Sequence, residues 1–144
     1  MKILAIDHVQ IAMPAGEEDK ARAFYIEQLG FTEIPKPPEL ARRGGAWFQS
    51  EHVQLHLGVE SDFRPARKAH PAFVVDDLDS LIANVQSAGY ETDTSQPPLD
   101  GYKRAHVFDP FGNRIELMEK IRTRLLSPPG RTRLPRLNPH SGGL

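Results

Sequence analysis

The chain has 144 residues, a length typical of one domain, and contains 39% hydrophobic and 26% charged residues. This composition excludes wholesale disorder, and no apolar run approaches the roughly 18 residues that a membrane span needs. The chain start lacks the long apolar stretch of a secretory signal, so we expect a soluble cytoplasmic protein. Cysteine is absent, which excludes disulfides, thiolate catalysis and cysteine-ligated zinc.

Charge is distributed unevenly along the chain. Residues 1–119 contain all 19 acidic residues and 12 basic ones, a net charge of −7, whereas residues 120–144 contain six basic residues and no acidic one. Clustered arginines can bind nucleic-acid phosphates, but this tail lacks aromatic residues on which bases could stack. We therefore expect a single domain at 1–119, a solvated basic Pro/Gly-rich tail at 120–144, and no nucleic-acid partner.

The first half of the chain predicts one helix among several strands. Residues 7–13 predict a strand, and residues 17–29 predict a helix with acidic residues at its start and Gly30 after its end. Residues 31–35 predict a short strand before a Pro-rich loop. Residues 44–50 and 51–60 predict two strands joined by a tight turn near Ser50, and residues 61–68 a linker.

The second half repeats this order. Residues 69–75 predict a strand and residues 78–88 a helix that is followed by Gly89. Residues 91–94, 102–108 and 113–119 predict three strands, with the turn Asp109-Pro-Phe-Gly112 between the last two. The sequence therefore predicts an α+β fold of two tandem βαβββ modules, at about residues 4–60 and 69–119.

Polar residues recur in the two halves at one offset. His70 follows His8 by 62 residues, and Glu116 follows Gln54 by the same number. Because alternate residues of a strand share a face, each lies opposite aliphatic neighbours, and a carboxylate between Ile115 and Leu117 is costly without a partner. If the first and last strands of each half curl together, these four polar side chains converge.

Two imidazoles, a carboxylate and an amide suit one divalent first-row metal, with iron, nickel, cobalt, zinc and manganese all left open. His56 is an alternative to Gln54, since it lies on the same strand face. Gln10 shares a face with His8, and Trp47 lies on a neighbouring strand, so both are predicted to line the cleft. His52 and His106 are interpreted first as surface or structural residues.

Several motifs resemble the glyoxalase/bleomycin resistance/extradiol dioxygenase superfamily, also called the vicinal oxygen chelate superfamily. They span about residues 4–119 and read Asp7-His-Val-Gln-Ile-Ala, Ala21-Arg-Ala-Phe-Tyr25 with Leu29-Gly-Phe31, His70-Pro-Ala-Phe-Val-Val-Asp76, and Val107-Phe-Asp-Pro-Phe-Gly-Asn-Arg-Ile-Glu-Leu117. The resemblance implies a U-shaped half-barrel cleft around a divalent metal held by His8, Gln54 or His56, His70 and Glu116. It also implies a homodimer, with Glu116 as ligand and candidate catalytic base and with Tyr102 and His106 as candidate accessory residues of the cleft.

Two functions follow from the resemblance. The first is a metal-dependent enzyme that chelates vicinal oxygens of a small substrate for lyase, isomerase or ring-cleaving dioxygenase chemistry. The second is a non-catalytic protein that sequesters an antibiotic or aromatic ligand, as bleomycin resistance proteins do. Gln54 stands where glyoxalase I usually carries a carboxylate, which argues against that particular activity, whereas the retained His8, His70 and Glu116 argue for a metal.

Overall fold

The first βαβββ module begins with strand β1 (Val9–Met13) and continues with helix α1 (Glu18–Arg22), which runs directly into a π-helical stretch at Ala23–Gln28. Strand β2 (Thr32–Ile34) and a short helix α2 (Pro38–Ala41) follow, and the hairpin β3 (Ala46–Ser50) and β4 (Val53–Val59) completes the module. These bounds come from a computed structural model that describes residues 1–122. The basic tail predicted at 120–144 therefore lies almost entirely outside the described residues.

The second module contains strand β5 (Ala72–Val74), helix α3 (Leu78–Ser87), the two-residue strand β6 (Thr92–Asp93), and the hairpin β7 (Tyr102–Phe108) and β8 (Arg114–Lys120). Asp77 caps α3, because its carboxylate accepts a hydrogen bond from the Ser80 amide. The β7–β8 turn is fixed by Asp109, whose carboxylate accepts hydrogen bonds from the amides of Phe111 and Asn113.

The two modules form two four-stranded sheets with the same arrangement. The strand order is β1-β4-β3-β2 in the first sheet and β5-β8-β7-β6 in the second. In each sheet the first strand pairs with the last in parallel, and the other pairings are antiparallel. The predicted α+β fold of two βαβββ modules is confirmed. The α2 turn is a difference from the prediction, which assigned that Pro-rich stretch to a loop.

One hydrophobic core joins the two modules. The π-helical stretch buries Phe24 and Tyr25 completely, and α3 contributes Val85 and Ile82 to the same cluster. The core-facing strand residues have odd numbers in the second module, for example Leu117 on β8. The even-numbered residues of β7 and β8 therefore share the opposite face, which is where the polar side chains lie.

Within residues 1–122, no helix is both long enough and apolar enough to cross a lipid bilayer.

Candidate metal centre

Three side chains of the second module come together on the polar face of its sheet. One ligand atom from each of His70, His106 and Glu116 lies within 4.8 Å of the other two. In the part of the chain that the structure describes, this is the one group of three or more histidines and carboxylates with such spacing. Two imidazoles and a carboxylate at this separation match the donor types that divalent first-row metals take in proteins.

Strand pairing creates this cluster. Glu116 on β8 lies directly opposite His106 on β7, and on its other side it lies opposite Ala72 of β5. The Glu116 amide also donates a hydrogen bond to the Pro71 carbonyl, which holds the segment leading into β5 beside β8. His70 immediately precedes that segment, so its ring reaches the same side of the sheet.

His70 is oriented as metal-binding histidines usually are. Its Nδ1 lies 2.7 Å from the Lys68 carbonyl oxygen, which can only accept a hydrogen bond, so the proton of a neutral His70 belongs on Nδ1. The Nε2 lone pair then faces the Glu116 carboxylate oxygen at 3.2 Å. Two facing lone pairs repel unless His70 is protonated or a cation lies between them. A histidine whose second nitrogen donates to a backbone carbonyl is a common feature of metal sites.

Glu116 is held as an ionised carboxylate. Its Oε1 accepts a 2.8 Å hydrogen bond from the Arg104 guanidinium, while Oε2 faces His70. Burial by itself would raise the pKa of Glu116, but the hydrogen bond from Arg104 and the neighbouring positive charges outweigh it and lower that pKa below its ordinary value. Arg104 therefore occupies one oxygen of this carboxylate and leaves the other directed at the cluster.

His106 is buried, with 2% of its surface exposed, and neither ring nitrogen has a hydrogen-bond partner within residues 1–122. Burial lowers the pKa of His106, as does the positive charge of Arg114. A buried neutral imidazole with unsatisfied nitrogens is costly, and ligation of a cation by one nitrogen removes part of that cost. The residues present therefore fit a divalent metal: His106 offers an unpartnered nitrogen, His70 a correctly oriented one and Glu116 a charged oxygen.

His8 and His56 belong to a different group of side chains. The His56 ring is stacked between Trp47, with ring centroids 4.0 Å apart, and His8, with centroids 4.1 Å apart. His8 is exposed and its Nδ1 lies 2.9 Å from the carboxylate of neighbouring Asp7. The predicted convergence of all four corner residues is thus not found within residues 1–122 of one chain, because His8 stacks on His56 and is not part of the His70 cluster.

Strand register distinguishes between Gln54 and His56. Two residues after His8 comes Gln10, which lies opposite His56. Two residues after His70 comes Ala72, which lies opposite Glu116. His56 is therefore the counterpart of Glu116 when the histidines are superimposed. The equal offset of 62 residues along the chain favours Gln54. That offset ignores the register of the parallel strand pairs, which differs by two residues between the two modules.

A comparison of equal offsets along the chain cannot find His106, because the corresponding residue of the first module is a tryptophan. Trp47 lies opposite His56 just as His106 lies opposite Glu116, so the two occupy corresponding positions. The predicted turn around Phe111 contained a usable signal, since a hairpin centred there places residues 106 and 116 face to face.

The remaining predicted cleft residues lie on the same sheet faces. Gln10 packs over Gly58, where an added Cβ would come within 2.6 Å of the Gln10 amide nitrogen. Tyr102 is half-buried and shares its strand face with Arg104 and His106. His52 lies exposed in the β3–β4 turn, away from these groups.

Comparison with known proteins agrees with this architecture. The chain is 48% identical to a Bacillus anthracis protein described as belonging to the glyoxalase family, whose crystal structure aligns with a TM-score of 0.76 over 84% of this chain and 98% of that one. It is 30% identical to the uncharacterized protein YaeR of Escherichia coli K12, over 76% of this chain and 93% of that protein.

A third similarity is to TnmS3, an antibiotic binding protein from Streptomyces sp. CB03234. The identity is 25% and the TM-score 0.62, over 83% of this chain and 100% of that one. Residues 5–117 match the sequence pattern of a family that covers most of the chain. The chain belongs to the Glyoxalase/Bleomycin resistance protein/Dioxygenase superfamily.

Proposed function

We propose that this protein is a divalent-metal-dependent enzyme that acts on a small, oxygen-rich substrate. The observation that carries the proposal is the cluster of His70, His106 and Glu116, in which His70 directs its Nε2 lone pair at an ionised carboxylate. Within this cluster, the buried imidazole of His106 has no hydrogen-bond partner among residues 1–122 and offers an unoccupied donor nitrogen. Lyase, isomerase and dioxygenase chemistry are all compatible with this donor set, and the identity of the metal separates them.

Each residue has a definite part in this proposal. His70, His106 and Glu116 hold the metal, and the Lys68 carbonyl keeps the His70 ring in its ligating tautomer. When bound, such a metal acts as a Lewis acid that stabilises negative charge developing on substrate oxygens. The low pKa of Glu116 favours a role as ligand over the role of catalytic base, because a carboxylate already neutralised by Arg104 attracts a proton weakly.

We further propose a homodimer in which His8 approaches the cluster of a second copy. His8 is exposed, and residues 1–6 before it expose four large apolar side chains, those of Met1, Ile3, Leu4 and Ile6. Strands β1 and β5 each have only one neighbour within their sheets, so each leaves an edge free for pairing. An exposed apolar segment that leads into a free strand edge favours self-association.

Elemental analysis tests the metal proposal. Protein purified without chelator or affinity-tag metal is expected to contain about one equivalent of a first-row metal per chain. His106→Ala should lose it, and His52→Ala, which changes an exposed histidine, should keep it. Iron would favour oxygen chemistry, and nickel, cobalt or zinc a lyase or isomerase. Absence of metal after reconstitution would contradict the proposal.

Subunit mixing tests the shared site. His8→Ala and Glu116→Ala homodimers should each bind metal poorly if both residues serve one site. After subunit exchange, a mixed dimer contains one site with both changes and one site with neither, so metal binding should partly return. If His8→Ala by itself binds metal as tightly as the unaltered protein, His8 is not a ligand.

A binding protein without catalysis is the second candidate. The stack of Trp47, His56 and His8 favours it, because planar rings present a flat surface on which an aromatic ligand can stack. TnmS3, which shares the fold, is named as an antibiotic binding protein. The metal measurement discriminates, since tight binding of an aromatic compound by metal-free protein, with no metal uptake, would favour this function.

A further inference from the structure

Arg114 lies next to the metal-binding cluster and takes no part in it. It is the first residue of β8, two positions before Glu116, so the two side chains project from the same face of the sheet. It pairs with Phe108 on β7, and its guanidinium carbon lies 6.0 Å from the centre of the Phe108 ring. The Phe108 ring therefore lies over one face of the guanidinium.

Arg114 differs from the other arginine of this face in having no anionic partner. Arg104 donates to Glu116 and to the Pro97 carbonyl. The Nε of Arg114 is buried and has no acceptor within residues 1–122, and no carboxylate of those residues lies within 4.0 Å of its guanidinium. Glu116, two positions along the strand, accepts its hydrogen bond from Arg104, and Asp93, opposite His106, accepts from Ser95 and Gln96.

A buried guanidinium N–H without an acceptor is energetically costly, because the donor has lost its water and gained no partner. The planar fork of arginine matches carboxylates and phosphates, which can accept two of its hydrogen bonds at once. Its position on the face that carries Glu116 and His106 would orient a bound molecule toward the ligands. An oxyanion at this position would satisfy both the orphaned donor and the uncompensated charge.

We propose that Arg114 binds an oxyanionic group of the substrate, a carboxylate, phosphonate or phosphate, beside the metal cluster. The assignment of this anion to a substrate rests on the proposed enzymatic function. The anion site itself does not, because its parts are present without metal. If the bound anion is part of the substrate, then the substrate carries its vicinal oxygens a short distance from a negatively charged group.

The test uses metal-free protein with the arginine side chains labelled with nitrogen-15. Inorganic phosphate and acetate are titrated separately, while the Arg114 Nε–H resonance, assigned from its absence in Arg114→Lys, is followed. We expect this resonance to move and saturate with at least one of the two probes, and the probe that binds more tightly identifies the class of oxyanion. Arg114→Gln should weaken binding of that probe by about tenfold or more, measured by calorimetry.

Arg64→Gln is the matched control, since it removes one positive charge from an exposed position before β5. It should leave the probe affinity nearly unchanged. Equal weakening in Arg64→Gln and Arg114→Gln, or saturation that leaves the Arg114 resonance unmoved, would overturn the proposal. If Arg114→Gln unfolds, Arg114→Lys takes its place in the test. A folded Arg114→Lys variant that keeps full affinity, with an unchanged ratio between its affinities for the two probes, would also overturn the proposal.

Metal content of the same variants keeps the two proposals separate. Arg114→Gln should retain the metal that His106→Ala loses, while metal-free His106→Ala should retain the anion. Failure of all variants to bind metal would remove the enzymatic proposal but leave the Arg114 result standing. Normal metal binding without any anion dependence on Arg114 would remove this inference alone.

Discussion

The Tyr25 hydroxyl donates a 2.7 Å hydrogen bond to the Asp109 carboxylate, which joins the π-helical stretch of the first module to the β7–β8 turn of the second. Tyr25 is completely buried, and Asp109 has 4% of its surface exposed. Asn113 donates from its side chain to Asp109 and to the Ala12 carbonyl, so the turn is also tied to β1. The turn that positions β8, and with it Glu116, therefore depends on contacts with the first module.

Tyr25→Phe should destabilise the protein by about 1–3 kcal/mol, because it removes one donor from a buried carboxylate and changes little else in the core. Urea unfolding followed by circular dichroism measures this loss. Tyr90→Phe is the control, since half-buried Tyr90 packs edge-on against Phe24 through its ring. Equal losses in the two variants would show that the Tyr25 hydroxyl contributes nothing specific.

Gly45→Ala should be more harmful than Gly30→Ala, although both glycines have positive φ angles, of 80° and 77°. A left-handed conformation costs a non-glycine residue roughly 1–2 kcal/mol, and both variants carry that cost. An added Cβ at Gly45 would also lie 2.0 Å from the Leu57 carbonyl oxygen, whereas at Gly30 it meets nothing within 4 Å. Thermal unfolding should therefore show a clearly larger decrease for Gly45→Ala.

Protonation of His56 should be visible through Trp47, the single tryptophan of the chain, because a stacked imidazolium quenches indole fluorescence. Burial and the nearby His8 lower the pKa of His56 below its ordinary 6.5. A fluorescence step with a midpoint below pH 6.5 is expected, and His56→Gln should abolish it. His8→Gln should move the midpoint upward, since it removes one of the causes of the shift.

The stability of the protein should follow the same titration. Because His56 has a lower pKa in the folded chain, the unfolded chain binds more protons as the pH falls below about 6.5. The contribution of His56 to the free energy of unfolding is therefore complete at neutral pH and decreases on acidification through that range. A fluorescence midpoint at or above pH 6.5 would contradict this prediction.

Arg104→Met should shift the acid-induced release of metal to higher pH. The hydrogen bond and charge of Arg104 help to hold the pKa of Glu116 low, so removing them raises that pKa and the carboxylate takes up a proton sooner on acidification. Lys103→Met is the control, because Lys103 pairs with Asp79 and Glu119 away from the cluster. Release at the same pH in both variants would show that Arg104 does not tune Glu116.

The sequence by itself determined the fold, because its signals are local. Helix α3 was predicted at 78–88 and runs Leu78–Ser87, and strand β7 coincides with the predicted 102–108. Capping residues, glycines after helices and the alternation of apolar residues act over a few positions, so they can be read without the tertiary structure. The superfamily was identified from the motifs in the same way and is confirmed.

The composition of the candidate site was decided by the tertiary structure. The sequence predicts His70 and Glu116 as ligands. His106 joins them in the cluster because it lies opposite Glu116 in the β7–β8 pairing. The stacking of His8 on His56, and the orphaned nitrogen of Arg114, likewise follow from which strands are neighbours. Counting residues gives the separation of two side chains along the chain, whereas metal ligation requires the side chains to lie a few ångströms apart in space. The strand register decides which residues of neighbouring strands lie side by side, and only the tertiary structure contains it.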